Sequence, residues 1–227
     1  MAATWQSDRE LFELVRRDLF SAVVGDAMDQ MGLTMQFLPP RIRPLLAEMT
    51  VVGRAMTVVV EDIPEGTADD GPDPPFGLML EALDDLKRDE VYLCAGGSPR
   101  YALWGELMSS RALVLRAAGA VVDGYYRDSE GIADLQFPTF GYGAYAQDQG
   151  ARGKVVDYRG PVRIGQVAVE PGDVVVGDRD GVCMVPRRHE QEVFARAFEK
   201  ASGENEVRRA IEAGMSSKDA FDRYGIL

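Results

Sequence analysis

The stretch EVYLCAGGSPRYALWGELMSSRALVLRAAGAVVDGYYRD, residues 90–128, decides the reading of the fold. Its first part, Glu90 to Ala95, has the composition of a strand and stops at Gly96-Gly97; a second short strand is expected at Ala120 to Asp123. Between them, Ala102 to Ala118 carries apolar residues at helical spacing, with Pro99 near its start and Gly119 just past its end. Strand, helix and strand in succession predict a right-handed parallel crossover, with Arg127 and Asp128 at the carboxyl end of a strand. Ligands bind at that edge of such sheets, and loops there often carry function.

Upstream, Ser7 is a plausible N-cap for a helix with Leu11, Leu14, Val15, Leu19 and Val23 on its apolar face. A second helix is expected from Val24 to Met31, stopping at Gly32, followed by an extended stretch at Pro39-Pro40. VVGRAMTVVV, residues 51–60, reads as a strand from its β-branched content. Residues 61–77 are acidic and rich in Gly and Pro, the composition of a surface loop, and Leu78 to Leu86 reads as helix.

Downstream, DSEGIADLQF offers Asp128 or Ser129 as the N-cap of a short helix. Residues 162–186 alternate β-rich runs with turn signals at Pro171-Gly172-Asp173 and Asp180-Gly181, the pattern of a strand meander. After Arg188, the apolar positions Val193, Phe194, Phe198, Val207 and Ile211 predict one long helix or two shorter ones. The expectation is a single α/β domain over residues 1–227.

With 227 residues, 46% of them apolar, the chain can bury one sizeable core. A formal charge of −12 argues against a nucleic-acid or anionic-membrane partner, because both need a basic face. It leaves room for a local basic pocket and a small anionic ligand, and Arg supplies nearly all the positive charge. Cys94 and Cys183 match no metal or redox spacing and read as buried free thiols. With no leader-like start and no apolar run near the roughly 18 residues of a membrane span, a cytoplasmic protein is expected.

Glu106, in ALWGELM, is separated from Arg127 by twenty residues, enough for one helix and one strand to return the chain to the same sheet edge. The plain alternatives are an ordinary helix start at GELM and a surface or capping pair at Arg127-Asp128. Asp26 and Asp29 in GDAMD read as a solvated face or cap, GDRDG as a hairpin turn, and the sole histidine, His189, as a surface residue. CAGGSP lacks the spacing of a dinucleotide or phosphate loop; its glycines suit a sharp turn or close passage beside a substrate. The four lysines sit mostly in polar contexts, which disfavours a Schiff-base mechanism.

GGSPRYALWGELM, the twenty-residue gap, GAVVDGYYRD and PGDVVVGDRDGVCMVP together resemble the family named after the regulator of ribonuclease activity A. The resemblance runs from FSAVVGDAMDQMG to SSKDAFDRYGIL. That family includes the divalent-metal pyruvate aldolases acting on 4-hydroxy-4-methyl-2-oxoglutarate and 4-carboxy-4-hydroxy-2-oxoadipate. The resemblance implies a layered β/β/α swivelling architecture with a flanking C-terminal helix, assembled as homotrimers or homohexamers. It implies that Gly105, Glu106, Leu107 and Met108 bind substrate, that Arg127 binds and polarises it, and that Asp128 holds a divalent cation, Mg²⁺ first and Mn²⁺ as alternative. In such an assembly the C-terminal helix could lend an acid to a neighbouring subunit, with Glu204 as a candidate. Two positions depart from the family's pattern: Glu106 stands where Asp is common, and Gly131 stands where an acid is common, with Glu130 one residue earlier.

The chemistry expected from that resemblance is retro-aldol cleavage of a 4-hydroxy-2-oxo acid. Breaking the carbon–carbon bond leaves a pyruvate enolate whose oxyanion a hard cation and a fork-shaped Arg127 suit. The expected base is a metal-activated water relayed by Glu106, a catalytic role beside that of Arg127. Oxaloacetate decarboxylation forms the same enolate and is an expected side activity. The alternatives are a non-catalytic protein that binds a ribonuclease, for which Arg127 and Asp128 would be dispensable, and a metal-dependent lyase or decarboxylase on another 2-oxo acid. Residues 61–77 are candidates to cover the pocket, and Tyr125 and Tyr126 to shape it or simply to pack.

Overall fold

The computed structural model describes residues 4–64 and 76–225. Ser7 caps helix α1 (Asp8–Asp18), its hydroxyl accepting from the Glu10 amide. Extended backbone at Leu19 and Phe20 ends that helix, so Val23 lies on a second one, α2 (Ser21–Gln30). Both turn apolar faces inward, burying Leu11, Phe12 and Val15 from α1 and Val23, Val24, Ala27 and Met28 from α2.

The strands and helices that follow are β1 (Arg43–Pro44), β2 (Val51–Asp62), α3 (Met79–Asp84), β3 (Glu90–Gly96), β4 (Ala102–Trp104), α4 (Glu106–Leu115), β5 (Gly119–Val122) and β6 (Tyr125–Tyr126). After them come α5 (Ser129–Asp134), β7 (Thr139–Gly141), β8 (Gly153–Tyr158), β9 (Val162–Ile164), β10 (Val167–Val169), β11 (Val174–Asp178), β12 (Gly181–Val185), α6 (Glu190–Glu212) and α7 (Ser217–Tyr224). The main sheet runs β1-β7-β5-β3-β2-β11-β12, with β8 also on β2. Its centre, β2-β3-β5-β7, is parallel, as the crossover reading requires.

β2 organises the molecule. Val51 to Arg54 pair with β11, Val58 to Asp62 pair with β8, and Arg54 to Val60 run parallel to β3 on the other side. Its side chains also enter all three apolar clusters: Met56, Val58 and Val60 in one, Val51 and Ala55 in another, Val52 in the third.

Alternation along the central strands separates the layers. Tyr92 and Cys94 of β3, with Ala120 and Val122 of β5, meet Ala82 and Leu83 of α3, Ala112 of α4 and Ile132 of α5. Val91, Leu93, Ala95 and Val121 point the other way, onto the β9–β10 hairpin through Val162, Ile164, Val167 and Val169. Full burial of each such aliphatic side chain contributes about 1.5–3 kcal/mol. Hairpin, sheet and helices give the layered β/β/α arrangement. The flanking α6 packs with α1 and α2 on Val174, Val176, Cys183 and Val185.

The segment expected as one helix, residues 102–118, divides in two. Tyr101, Ala102, Leu103 and Trp104 are all buried, which an amphipathic helix face does not permit, and β4 pairs with β6 instead. The helix proper starts after Gly105 and ends where Arg116 turns left-handed. The chain after Arg188 resolves into one long helix and one short one, and the residues around Asp180-Gly181 form the expected β11–β12 turn. Most of the acidic 61–77 stretch, residues 65–75, lies outside the described residues, while Glu61 and Asp62 end β2. No described helix is long and apolar enough to cross a membrane.

Candidate active site

β4 and β6 lie side by side and parallel, and the Arg127 amide donates to the Trp104 carbonyl at 2.9 Å. Gly105 and Arg127 therefore leave adjacent strand ends, and α4 and α5 begin next to each other. The twenty-residue gap does what its length allows: the Glu106 amide faces Oδ2 of Asp128, at a long 3.5 Å.

Local backbone explains two residues here. Gly105 is fully extended, at φ −157, so its conformation does not call for glycine. A Cβ there would stand 2.8 Å from Oδ2 of Asp128, so the missing side chain admits that carboxylate. Asp128 itself is left-handed, at φ 54 and ψ 40, a conformation that costs a non-glycine residue about 1 kcal/mol. It occupies the N-cap position of α5 without capping it; its carboxylate turns to the start of α4 and to Arg127 instead.

Arg127 is held by two carboxylates. Its Nε donates to Oδ2 of Asp128 at 3.3 Å and its Nη1 to Oδ1 of Asp148 at 2.8 Å. Asp148 belongs to a segment laid along the two short strands: Tyr126 donates to the Gly143 carbonyl, Tyr145 to the Tyr126 carbonyl, and Ala102 to the Gln147 carbonyl. Nothing in the spacing of AYAQDQG marks this role. A second feature hidden in the sequence is the chain from the Trp104 indole to the Ser109 hydroxyl, at 2.7 Å, and on to the Gly105 carbonyl, at 3.1 Å. It locks the first turn of α4 in place. Tyr125 packs edge-on against Tyr142 and beside Tyr145, whereas Tyr126 is buried and burial raises its phenol pKa.

Leu107 is exposed at the start of α4, and Met108 packs against the core below it. The first amides of a helix have no intrahelical acceptor, so this turn presents N–H groups beside Arg127. At the neighbouring strand ends, Gly96 and Gly97 turn sharply at φ 87 and 69, with Gly96 pressed against the Val60 carbonyl. Asp62 accepts from the Ser98 amide at 2.8 Å and from the Tyr101 hydroxyl at 2.7 Å. Burial opposes its charge, yet these donors and Arg100 hold its carboxyl below the ordinary range.

Other residues weighed from the sequence stand apart. Lys200 pairs with both Asp26 and Glu204 of the same chain, and His189 accepts from Arg188.

Asp128 takes its hydrogen bonds through Oδ2 alone, and the Glu106 carboxylate takes none from the described residues. No group of three His, Cys, Asp or Glu among the described residues is arranged to hold a metal by itself. The donor set suits a hard cation that uses one or two carboxylates and completes its shell with water and substrate oxygens, as Mg²⁺ does.

Comparison with known proteins agrees with the fold and with the family resemblance. The profile of the RraA-like family, described as Aldolase/RraA, matches residues 21–184. A Halalkalibacterium halodurans protein named as a candidate 4-hydroxy-4-methyl-2-oxoglutarate aldolase is 30% identical over 205 residues, 90% of this chain and 90% of its own. Protein DlpA of Legionella pneumophila is 28% identical over 90% of this chain, and the match spans only 32% of DlpA's length. Among solved structures, Streptomyces coelicolor RraAS2, described as an unusual member of the RNase ES inhibitor RraA protein family, superposes with a TM-score of 0.76. It is 26% identical, and the match covers 90% of this chain and 99% of that one.

Proposed function

The chain belongs to the RraA-like family, and on that premise we propose that it is a divalent-metal-dependent pyruvate aldolase acting on a 4-hydroxy-2-oxo acid. The observation that carries the reading is the meeting, at one strand edge, of the first turn of α4, the Arg127 guanidinium and the Asp128 carboxylate, with Gly105 stripped of a side chain to allow it.

Each group has a task that its surroundings favour. Arg127 has Nε and Nη1 engaged by carboxylates, which leaves Nη2 to meet the substrate's carboxylate or 2-oxo oxygen. The amides of Leu107 and Met108, at the positive end of α4, suit the remaining anionic oxygens. Asp128, with Glu106 beside it, would hold the cation, Mg²⁺ or Mn²⁺, which when bound supplies positive charge for the oxyanion of the pyruvate enolate. Glu106 receives the 4-hydroxyl proton through a water as the C3–C4 bond breaks, and protonation of C3 then completes pyruvate. The other product is the carbonyl compound formed from C4. Oxaloacetate decarboxylation passes through the same enolate with no hydroxyl to deprotonate, and belongs to the same proposal.

A homotrimer or homohexamer is part of the reading. It is supported by the apolar outer face of α4, where Leu107 and Val114 are 83% and 71% exposed. The test is pyruvate release from a panel of 4-hydroxy-2-oxo acids and oxaloacetate, with Mg²⁺ or Mn²⁺ and then with chelator, for wild type and Asp128→Ala. Metal-dependent turnover lost in Asp128→Ala is the expected result. A folded, metal-loaded wild type that releases no pyruvate from any of them would overturn the proposal in favour of a binding role, such as regulation of a ribonuclease.

A further inference from the structure

We infer that Gly131 is a positioning residue for the Glu106 carboxylate, and that the two act as one unit within the reaction proposed above, on which this inference rests. Gly131 lies inside α5, and its φ is not in the left-handed region, so the backbone does not ask for glycine. Glycine is also a poorer helix former than alanine at such a position. The side-chain direction explains it. A Cβ on Gly131 would overlap Glu106 and nothing else among its three nearest atoms, which are Oε2, Cδ and Cγ of that side chain, the last at 2.8 Å.

Glu106 comes from the first turn of a different helix, and no hydrogen bond or ion pair from the described residues fixes its carboxylate. What sets its place is the slot over Gly131, three residues after Asp128 on α5. The carboxylate is thereby kept at the mouth of the helix whose N-cap position holds the metal-binding acid. A methyl group at 131 would push Glu106 into another rotamer and leave the rest of the fold intact. The longer acid at 106 and the missing side chain at 131 are then a single exchange: α4 supplies across the gap the carboxylate that α5 lacks.

The experiment compares Gly131→Ala, Glu106→Gln and the double variant in the full-length protein. Gly131→Ala is expected to melt at or above the wild-type temperature. It should lose kcat for retro-aldol cleavage on the order of 100-fold, with KM nearly unchanged, and should add nothing in the Glu106→Gln background. Wild-type turnover in Gly131→Ala, or an equal further loss in the Glu106→Gln background, would overturn the inference. Failure of the proposed reaction is read separately. If the wild type turns over no substrate, Mn²⁺ affinity replaces turnover: weakening by Gly131→Ala and Glu106→Gln that does not add supports the pair, and an unchanged affinity in Gly131→Ala refutes it.

Discussion

Nη1 of Arg127 lies 2.8 Å from Oδ1 of Asp148, 21 positions along the chain, in a pair that is 37% and 49% exposed. An ion pair so open to solvent contributes under about 1 kcal/mol to stability. Its consequence is orientation, since it fixes one edge of the guanidinium while Asp128 fixes another. Asp148→Asn should raise KM about 10-fold, the scale of a weakened charged hydrogen bond, with kcat within about 3-fold and an unchanged melting temperature. Initial rates and a thermal melt check this; a lowered KM would show instead that Asp148 competes with substrate.

Arg127→Lys keeps the charge and loses the fork. Lysine cannot donate to Asp148, Asp128 and a substrate carboxylate from fixed directions, so kcat/KM should fall on the order of 100-fold. Substrate-saturation curves measure it, and a variant within a few-fold of wild type would mean that Arg127 acts only as a point charge.

Glu106→Gln should separate the two reactions. Cleavage of a 4-hydroxy acid needs the hydroxyl proton removed, whereas decarboxylation does not, so the retro-aldol rate should drop far more than the oxaloacetate rate. Paired assays on the same preparation at saturating Mn²⁺ decide the point, and equal losses there would remove Glu106 from the role of base.

Cys94 and Cys183 are both buried free thiols whose pKa burial pushes well up. An aromatic disulfide reagent should titrate neither in the native protein and both in denaturant. Rapid labelling of one thiol under native conditions would contradict the packing of β3 or β12.

The Asp8 carboxyl is held below its ordinary value of 3.8, first by its hydrogen bond from Arg54. A depressed folded-state pKa gives stability that is present above the unfolded value and lost as pH falls through the folded one. Asp8→Asn should therefore lower the melting temperature at neutral pH and flatten the acid limb of the stability curve. Melts across an acid-to-neutral series test the sign.

The sequence was most legible where periodicity and chain length do the work. β-branched runs marked β2 and the strands β9 to β12, which form two hairpins in separate sheets and not one meander. Helical spacing ending before Gly119 marked most of the crossover, although the helix starts after Gly105 and not at Ala102. The gap between Glu106 and Arg127 made their meeting at one edge readable. β4 was missed because its three apolar residues run straight on into the helical spacing of α4, and only their pairing with β6 marks them as strand. Asp148 was unreadable because its role comes from how residues 143–148 lie against Tyr126, a tertiary register with no local signature. Gly131 looked like a defect in a motif for a related reason: the side chain that fills its space arrives from another helix.

β2 hydrogen-bonds to three strands and gives side chains to each of the three apolar clusters. A segment with that many obligations has no local way to open. The backbone amides of Val52 to Val60 should exchange with deuterium only through unfolding of the whole chain, and on the slowest timescale in the protein. The strand ends near the candidate site, at Asp62 and Gly96, therefore rest on a stem that does not open locally.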